Sequence, residues 1–466
     1  MAQDLTDASP APPGVAYWHD SLVEAPVVRP ALTGDLDADV AIVGGGYTGL
    51  WTALYLAAAE PSLSIAVIER EHVGFGASGR NGGWCSALFA TSTATLVRRY
   101  GRPAADALRR ALKDAVDEVG RRAQAEEIDC AYHKGGTVVL ARSAAQWARL
   151  CGEVEEARAL GIGEDDLALL GPTEVGEKVR ATHVLGGTFT PHCAAIHPAR
   201  LAHGLARAVE RRKVAVFEHT TALEVGPGRV RCAQGTVRAG VVVLATEGYG
   251  TDLRGFRRRL APVYSLMLAT APLDAAAWDE IGLVERETFS DERHLIVYGQ
   301  RTADGRIAFG GRGAPYHYAS AVRPEFDTDG RVHAALEAAL RDLFPVLRDV
   351  PITHRWGGAL GVARDWHPSV GLDRRRGLAW AGGYVGDGVA CANLAGRTLA
   401  ELIMGRTSER TELCWVGHRS PAWEPEPLRY LGINAALGIM ASADRAEERT
   451  GRPARRAERV GRLMGG

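Results

Sequence analysis

Residues 39–69 decide the fold, and they read DVAIVGGGYTGLWTALYLAAAEPSLSIAVIE. The β-branched run Asp39–Val43 predicts a strand of the kind that is buried in a parallel sheet. Three glycines follow at once in the spacing G-x-G-x-x-G, and residues 50–59 then have helical composition. Residues 64–68 predict a second strand. The whole stretch is therefore a strand, a glycine turn, a helix and a strand within about thirty residues.

This arrangement is typical of a turn that binds a dinucleotide. Gly44 permits the tight turn, Gly46 lets backbone amides approach a pyrophosphate, and Gly49 lets the helix pack close to the strand. Glu69 lies twenty residues beyond Gly49, at the end of the second strand, where it can accept hydrogen bonds from a ribose diol. A plain glycine turn followed by a surface glutamate is the alternative. Because the strand, the spacing and the acid occur together, we favour the dinucleotide site.

Composition excludes several other classes of protein. The chain has 466 residues, of which 46% are apolar and 24% charged, and a net charge of -1 gives no field that would favour nucleic acid. The seven cysteines are scattered without a CxxC pair, so we expect a reducing cytoplasm and no metal site. The N-terminus lacks a secretory signal, and the glycine turn explains the apolar stretch 39–59 better than a membrane span does. We therefore predict no integral membrane segment.

A second glycine-rich segment, GFGASGRNGG at 74–83, indicates which dinucleotide is bound. It resembles the pyrophosphate- and flavin-facing loop of the D-amino-acid-oxidase-like family of FAD-dependent oxidoreductases. Most of the chain is similar to the γ-glutamylputrescine oxidoreductase-like branch of that family. The resemblance also rests on IHP at 196–198, LATEGY at 244–249, WGG at 356–358, and GGYVGDGVACANLAGRTLAELI from Gly382.

The resemblance and the strand pattern together imply an α/β fold with two interleaved domains. One is a discontinuous, Rossmann-like FAD-binding domain of the glutathione-reductase type, and the other is a β-rich α+β substrate domain. A helical extension follows at the C-terminus. The expected ranges are 1–35 for an N-terminal arm, of which we interpret residues 1–14 as loose, 36–95, 190–262 and 354–406 for the FAD-binding domain, 96–189 and 263–353 for the substrate domain, and 407–466 for the extension.

The resemblance also assigns the cofactor site. The ADP half should lie on the first glycine turn and Glu69, and the pyrophosphate or the ring's edge should meet Ser78 with Arg80 or Asn81. An ion-paired or exposed side chain is the alternative for Arg80. The helix N-terminus at 386–389 should stabilise charge on the reduced isoalloxazine. The full set is Gly44, Gly46, Tyr47, Thr48, Gly49, Glu69, Arg70, Ala77, Ser78, Arg80, Asn81, Gly82, Gly83, Ala222 (by backbone contact with adenine), Gly358, Gly383, Gly386, Asp387, Gly388 and Val389.

The family's chemistry implies oxidation of a C–N bond in an amine or amino acid to an imine, by hydride transfer to flavin N5, followed by hydrolysis. Asp387 stands where the branch usually carries histidine, so its carboxylate either pairs with a substrate ammonium or only caps the next helix. Tyr249 and Arg301 complete the candidate catalytic set. Like Tyr298 and Arg312, they come from segments that line the substrate cavity in relatives, and each could equally be a packed or surface residue.

Departures from the family pattern leave other features open. Residues 356–365 contain no cysteine, so FAD should be bound noncovalently. Ala390 stands where the sarcosine-oxidase branch has a substrate-binding lysine, which argues against a simple α-amino acid held there. In some relatives a lysine speeds the reduction of oxygen, and it has no evident counterpart here because no lysine follows Lys213. Whether the electron acceptor is O2 or another molecule is therefore left open. Two other functions stay open, namely an FAD enzyme acting on hydroxy acids or tailoring a natural product, and a flavin-binding electron-transfer partner.

Overall fold

The first sheet is built around the strand that precedes the glycine turn. A computed structural model describes residues 11–464. Its strands are β1 (Leu36–Val43), β2 (Ile65–Ile68), β3 (Trp84–Ser86), β4 (Thr137–Ala141), β5 (Ala168–Leu170), β6 (Gly186–Thr190), β7 (Cys193–Ala195), β8 (Ala215–Phe217), β9 (Ala222–Gly226), β10 (Arg229–Cys232), β11 (Thr236–Leu244), β12 (Leu260–Thr270), β13 (Thr288–Asp291), β14 (Val297–Arg301), β15 (Ile307–Gly311), β16 (Ile352–Ala363), β17 (Ser369–Asp373) and β18 (Leu378–Gly382). In the first sheet five parallel strands are ordered β18-β11-β1-β2-β8, with antiparallel β17 at one edge and the β9–β10 hairpin paired to β11.

Helices cover this sheet because its central strands are apolar on both faces. Residues Val40 to Val43 and all of β2 are buried, and Val40 lies opposite Ile65 and Val241 in the parallel register. The helices are α1 (Tyr17–Asp20), α2 (Tyr47–Ala59), α3 (Ala77–Arg80), α4 (Thr93–Tyr100), α5 (Arg102–Ala125), α6 (Ala144–Ala159), α7 (Pro172–Lys178), α8 (Pro198–Glu210), α9 (Ala275–Ile281), α10 (Gly330–Leu343), α11 (Gly388–Ile403), α12 (Leu428–Thr450) and α13 (Arg455–Met464).

The glycine turn brings the first residue of α2 to the carboxyl end of β1. Gly44 has φ +116°, and a Cβ there would lie 2.4 Å from the carbonyl oxygen of Ala245. At Gly49 a Cβ would lie 2.1 Å from the carbonyl oxygen of Gly44. Side chains at these two positions would push α2 away from the sheet, so the glycines fix where the helix begins.

A second sheet of order β16-β12-β15-β14-β13-β4-β6-β5 forms the other layer. It is antiparallel except between β4 and β13, and its longest pair joins β12 to β16. Phe289 and Phe309 stack in its core, where Leu336 and Leu340 of α10 also pack. The predicted α/β organisation, with a β-rich second layer and terminal helices, is confirmed.

Two segments lie in a different layer from the one predicted. Helix α5, expected in the substrate domain, packs into the core of the first sheet through Leu108, Leu112 and Val116. Most of strand β16 lies within 354–406, which was predicted to belong to the FAD-binding domain. The strand nevertheless pairs with β12 in the second sheet. Periodicity identifies an apolar face but not the layer that the face meets. The helical pattern from Arg98 is also interrupted, because Gly101 has φ +82° and separates α4 from α5.

The N-terminal segment is docked from Ala11 onward, whereas residues 1–10 of the predicted arm lie outside the described residues. The amides of Ala11 and Gly14 donate to the carbonyls of Thr353 and Arg355. Tyr17 and Trp18 are buried beyond them. The loose arm expected from composition is thus wrong for residues 11–14, because these backbone contacts with β16 cannot be read from residue type.

Helix α12 of the C-terminal extension packs on the body of the protein. Ile433 of α12 is buried with Val362 and Trp423, and the carboxylate of Asp444 accepts hydrogen bonds from the amides of His294 and Leu295. Within residues 11–464, no helix combines the length and the apolar character needed to cross a bilayer.

Candidate functional site

A long cleft opens at the carboxyl ends of the parallel strands in the first sheet. Its volume is about 1410 Å³, counting space open to solvent. It extends from Glu69, Arg70 and Ala222 at one end to the residues that begin α11 at the other. Ligands of open α/β sheets bind in this position, outside the carboxyl ends of the strands.

The middle of the cleft is formed by the two glycine-rich segments. The hydroxyl of Ser78 accepts a hydrogen bond from the Tyr47 amide at 2.9 Å and thereby joins the second segment to the start of α2. A Cβ on Gly46 would lie 2.8 Å from Ser78 Oγ, so any side chain at position 46 would fill this part of the cleft. The N-terminus of α2 faces the same space, where the helix dipole favours an anion.

Glu69 is held at the end of β2 by backbone amides. Its Oε2 accepts from the Gly45 amide at 2.7 Å and its Oε1 from the Glu71 amide at 3.0 Å. Burial raises the pKa of this carboxyl, while the two amides oppose that shift. Each carboxylate oxygen has further acceptor capacity, so a ligand hydroxyl can still bind to this fixed group.

Glu247, which the sequence analysis did not single out, holds the turn before α11. It has a left-handed φ of 46°, and its carboxylate accepts from the amides of Gly383 at 2.8 Å and Tyr384 at 3.0 Å. Burial raises the pKa of this carboxyl to about 7. The hydroxyl of Tyr384 in turn lies 3.0 Å from Thr48 Oγ1, which links the two helix starts. The only sequence signal for Glu247 was its place within LATEGY.

A second cavity of about 2380 Å³, again counting open space, adjoins the cleft. The two share Ala77, Asn81, Leu360 and Gly386 as lining residues. Side chains from β12, β14 and the loop after β15 line the second cavity, and among them are Ser265, Tyr298 and Arg312. The hydroxyls of Ser265 and Tyr298 lie 2.8 Å apart and fix the tyrosine ring.

Asp387 faces the second cavity, at the point where it meets the cleft. The residue occupies the N-cap position of α11, but its side chain makes no capping hydrogen bond. Burial raises the pKa of its carboxyl to about 6, and the charge of Arg312 opposes that shift. A guanidinium nitrogen of Arg312 donates to the carbonyl of Val385 at 2.8 Å. Two roles were considered for Asp387, and this geometry does not support the helix cap.

The structure places the other candidate catalytic residues elsewhere. Tyr249 lines the first cleft, where its ring packs against Gly76. Arg301 lines neither cavity, since its guanidinium lies 4.2 Å from the centroid of the Trp278 ring. Side chains alternate along β14, so a residue three positions after Tyr298 points to the opposite face. The expectation that Arg301 reaches the substrate cavity is thus wrong.

Arg80 adopts the ion-paired arrangement that was considered as its alternative. Its guanidinium pairs with Asp327 and lies 4.4 Å from the centroid of the Phe75 ring. Its carbonyl accepts from the indole of Trp356 at 2.9 Å. Arg80 therefore lines the second cavity and joins the second glycine segment to the second sheet.

The predicted cofactor-binding residues fall into three groups according to the cavity that they line. Gly49, Gly83 and Gly383 line neither cavity and act through the backbone; a Cβ on Gly83 would lie 1.8 Å from Gln300 Nε2. Those lining only the second cavity are Arg80, Gly82, Gly358 and Asp387. Those lining the first cleft are Gly44, Gly46, Tyr47, Thr48, Glu69, Arg70, Ala77, Ser78, Asn81, Ala222, Gly386, Gly388 and Val389.

Comparisons with known proteins match the sequence of this chain over most of its length. The family model described as "FAD dependent oxidoreductase" matches residues 39–402. Gamma-glutamylputrescine oxidoreductase of Escherichia coli (strain K12) is 30% identical over 80% of this chain and 85% of its own length. The probable oxidoreductase OrdL of Rhizobium meliloti (strain 1021) is 30% identical over 87% of this chain and 92% of its own length.

A solved structure shows the same fold. Glycine oxidase from Geobacillus kaustophilus superposes with a TM-score of 0.68 at 20% identity. The match covers 80% of this chain and 96% of that one. At this identity the likeness concerns the fold alone.

Proposed function

The chain belongs to the family of FAD-dependent oxidoreductases, and on that premise we propose that it oxidises a C–N bond of an amine or amino acid to an imine, which water then hydrolyses. Bound FAD supplies the two-electron acceptor for this chemistry. The observation that carries the proposal is the junction of the two cavities at Gly386, with the carboxylate of Asp387 facing the second one. The relative named for gamma-glutamylputrescine supports an amine or amino-acid substrate.

We propose that FAD occupies the first cleft along its length. We assign the ADP half to the first glycine turn, with Glu69 receiving ribose hydroxyls and Ala222 contacting adenine by its backbone. The pyrophosphate would lie in the cleft beside Ser78 and the N-terminus of α2, in the space next to Gly46 that a side chain at that position would enter. The start of α11, at 386–389, would hold the isoalloxazine.

We propose that this binding is noncovalent. The residues that line the first cleft include no cysteine, and the segment 356–365 contains none either. Acid precipitation of the purified protein should therefore release the yellow FAD into the supernatant. Colour that stays with the pellet would contradict noncovalent binding.

Asp387 is the group that we assign to the substrate nitrogen. Its carboxylate can pair with a substrate ammonium beside the junction of the cavities. Because burial raises the pKa of this carboxyl to about 6, it can also accept the ammonium proton near neutral pH. The substrate is then a neutral amine with a lone pair on nitrogen, which is the form that loses a C–H hydride. In this scheme Asp387 both binds the amine and prepares it for oxidation.

Arg312 and Tyr298 are suited to positioning the rest of the substrate. Arg312 uses one N–H on the Val385 carbonyl and has further donors that a substrate carboxylate can accept from. Tyr298, fixed by Ser265, presents a rigid aromatic wall in the same cavity. Tyr298 lies on a strand of the second sheet and Arg312 on the loop after β15, so we propose that this layer sets substrate choice while the first sheet holds the cofactor.

Anaerobic reduction of the FAD-loaded protein tests the proposed reaction. Solutions of amines, amino acids and 2-hydroxy acids are mixed with it in turn, and loss of the flavin absorbance is followed. We expect bleaching by at least one amine or amino acid and none by hydroxy acids. Bleaching by hydroxy acids alone, or only by a reduced protein donor, would contradict the proposal. Admission of air to the bleached sample then shows whether O2 is the acceptor.

A further inference from the structure

Three histidines from distant parts of the chain come together behind the second glycine segment. His19 is on α1, His72 lies shortly after β2, and His203 is on α8. One ligand nitrogen from each lies within 4.8 Å of the other two. We propose that His19, His72 and His203 bind a divalent transition-metal ion, with Zn²⁺ as the representative ion, and that the ion fastens the N-terminal segment to the cofactor domain.

The ring nitrogens of this trio are available as ligands. Nε2 of His19 and Nε2 of His203 are buried and have no hydrogen-bond partner among residues 11–464. His203 is only 4% exposed, so water does not solvate it freely. Buried polar atoms without a partner are uncommon because each costs free energy, and a metal ion would satisfy both.

The ring of His72 uses one nitrogen in a hydrogen bond, which leaves the other nitrogen as a ligand. Nδ1 of His72 lies 3.0 Å from the carbonyl oxygen of Val73. Because a carbonyl oxygen only accepts, Nδ1 carries the proton, and Nε2 of a neutral ring then carries the free lone pair. Histidines that bind metals commonly donate their second N–H to a carbonyl or carboxylate in this way.

The donor set indicates the class of ion. Three imidazoles without a thiolate or a carboxylate suit zinc and its neighbours in the transition series, and they suit Mg²⁺ and Ca²⁺ poorly. The ring of His19 lies edge-on to the other two, with centroids 5.2 Å from His72 and 6.0 Å from His203. Water would complete a tetrahedral shell.

Two of the guanidinium groups near the trio are paired with carboxylates. The buried guanidinium of Arg29, near His203, is paired with Glu210 and Glu218. That of Arg80, near His19, is paired with Asp327. These two positive charges are therefore balanced by carboxylates before any ion binds.

The site would add a link between elements that a few hydrogen bonds already join, such as the one from the Trp18 indole to the carbonyl of Asn81. His19 approaches the second glycine segment so closely that a Cβ on Gly79 would lie 2.5 Å from its Nε2. The same segment carries Ser78, which contacts the start of α2. An ion here would stiffen the loop that we assign to the pyrophosphate, and it would take no part in electron transfer. The absence of a metal site was predicted from cysteine spacing, which is blind to histidines 53 and 131 positions apart.

Metal titration of the FAD-loaded protein tests this proposal. Chelator-treated protein is titrated with Zn²⁺ by calorimetry, and with Mg²⁺ and Ca²⁺ for comparison. We expect one Zn²⁺ per chain, no heat from Mg²⁺ or Ca²⁺, and a higher melting temperature with Zn²⁺. His72→Gln and His203→Asn should each weaken Zn²⁺ binding by at least about tenfold, since each removes one of three ligands.

The exposed His183 provides the matched control. His183→Asn should bind Zn²⁺ as the wild type does, because asparagine tolerates the left-handed backbone at that position. His72 is only partly buried, so His72→Gln should fold and keep its FAD even if His203→Asn does not. Absence of Zn²⁺ binding in the wild type would overturn the site. Equal Zn²⁺ affinity in the wild type and His72→Gln would also overturn it. Neither outcome depends on the proposed oxidation.

Discussion

The first cleft and the second cavity meet at Gly386, yet they are built in different ways. The cleft is shaped by turns of the backbone, because two glycine-rich segments within residues 44–83 and a third before α11 line it. The second cavity is formed by side chains from strands and loops spread across the chain, from Arg80 to Asp387. Glycines and turns dictate the shape of the first, whereas the shape of the second depends on which side chains tertiary packing brings together.

The carboxylates of the two regions also differ in how firmly the backbone holds them. Glu69 and Glu247 each accept two backbone amides, so their positions are fixed by the fold. The carboxylate of Asp387 accepts no hydrogen bond within the described residues and faces open space beside Arg312. Two carboxylates therefore hold the cleft together, and the third is free to bind a substrate.

The largest effect should follow from a side chain in the backbone-built cleft. Gly46→Val would place its Cβ 2.8 Å from Ser78 Oγ, in the space assigned to the pyrophosphate. We expect the Kd for FAD to rise by at least about 100-fold, or about 2.7 kcal/mol. Gly152→Val is the control, because a Cβ on Gly152 meets no atom within 4 Å. Unchanged FAD affinity in Gly46→Val, measured by fluorescence titration, would break the assignment of the cleft.

Loss of one carboxylate in the cleft should have a smaller effect. Glu69→Ala removes the acceptor that we propose for ribose hydroxyls, and a hydrogen bond to a charged group contributes about 1–3 kcal/mol, or roughly 5- to 150-fold in Kd. The amides of Gly45 and Glu71 also lose their partner, so the apoprotein should melt at a lower temperature. The exposed Glu155→Ala should change neither quantity. A lower melting temperature with unaltered FAD affinity would make Glu69 purely structural.

The smallest effect should come from Glu247→Gln. The amide side chain can accept from one of the Gly383 and Tyr384 amides but not from both, so one hydrogen bond is lost. We expect FAD affinity to fall by about 0.5–1.5 kcal/mol, or about two- to tenfold. Glu155→Gln serves as the control. No change in FAD affinity would show that the turn before α11 holds its shape without Glu247.

Sequence alone predicted the backbone-built region better than the other. The glycine spacing, Glu69 and the turn before α11 were all identifiable, because each is set by residues close together in the chain. Arg301 was misplaced because a one-residue change along a strand reverses the face of the side chain. Glu247 and the three histidines were missed because their partners lie far away in the sequence. The layers of α5 and β16 were missed for the same reason.

The most direct test of the central claim, that Asp387 receives the substrate amine where the cavities meet, is anaerobic flavin reduction by the best amine substrate in the wild type and Asp387→Asn. Both proteins should bind FAD equally, since asparagine keeps the shape of aspartate. We expect kcat/KM to fall by roughly ten- to a hundredfold in the variant, the loss of about 1.5–3 kcal/mol for one charge-assisted contact.

The pH profile completes that measurement. Because burial raises the pKa of the Asp387 carboxyl to about 6, amine binding by the wild type should strengthen as pH rises through about 6 and the carboxylate forms. Asp387→Asn should lack this rise. Equal affinities for the amine in the two proteins, with the same pH profile, would contradict the account and remove Asp387 from the substrate site.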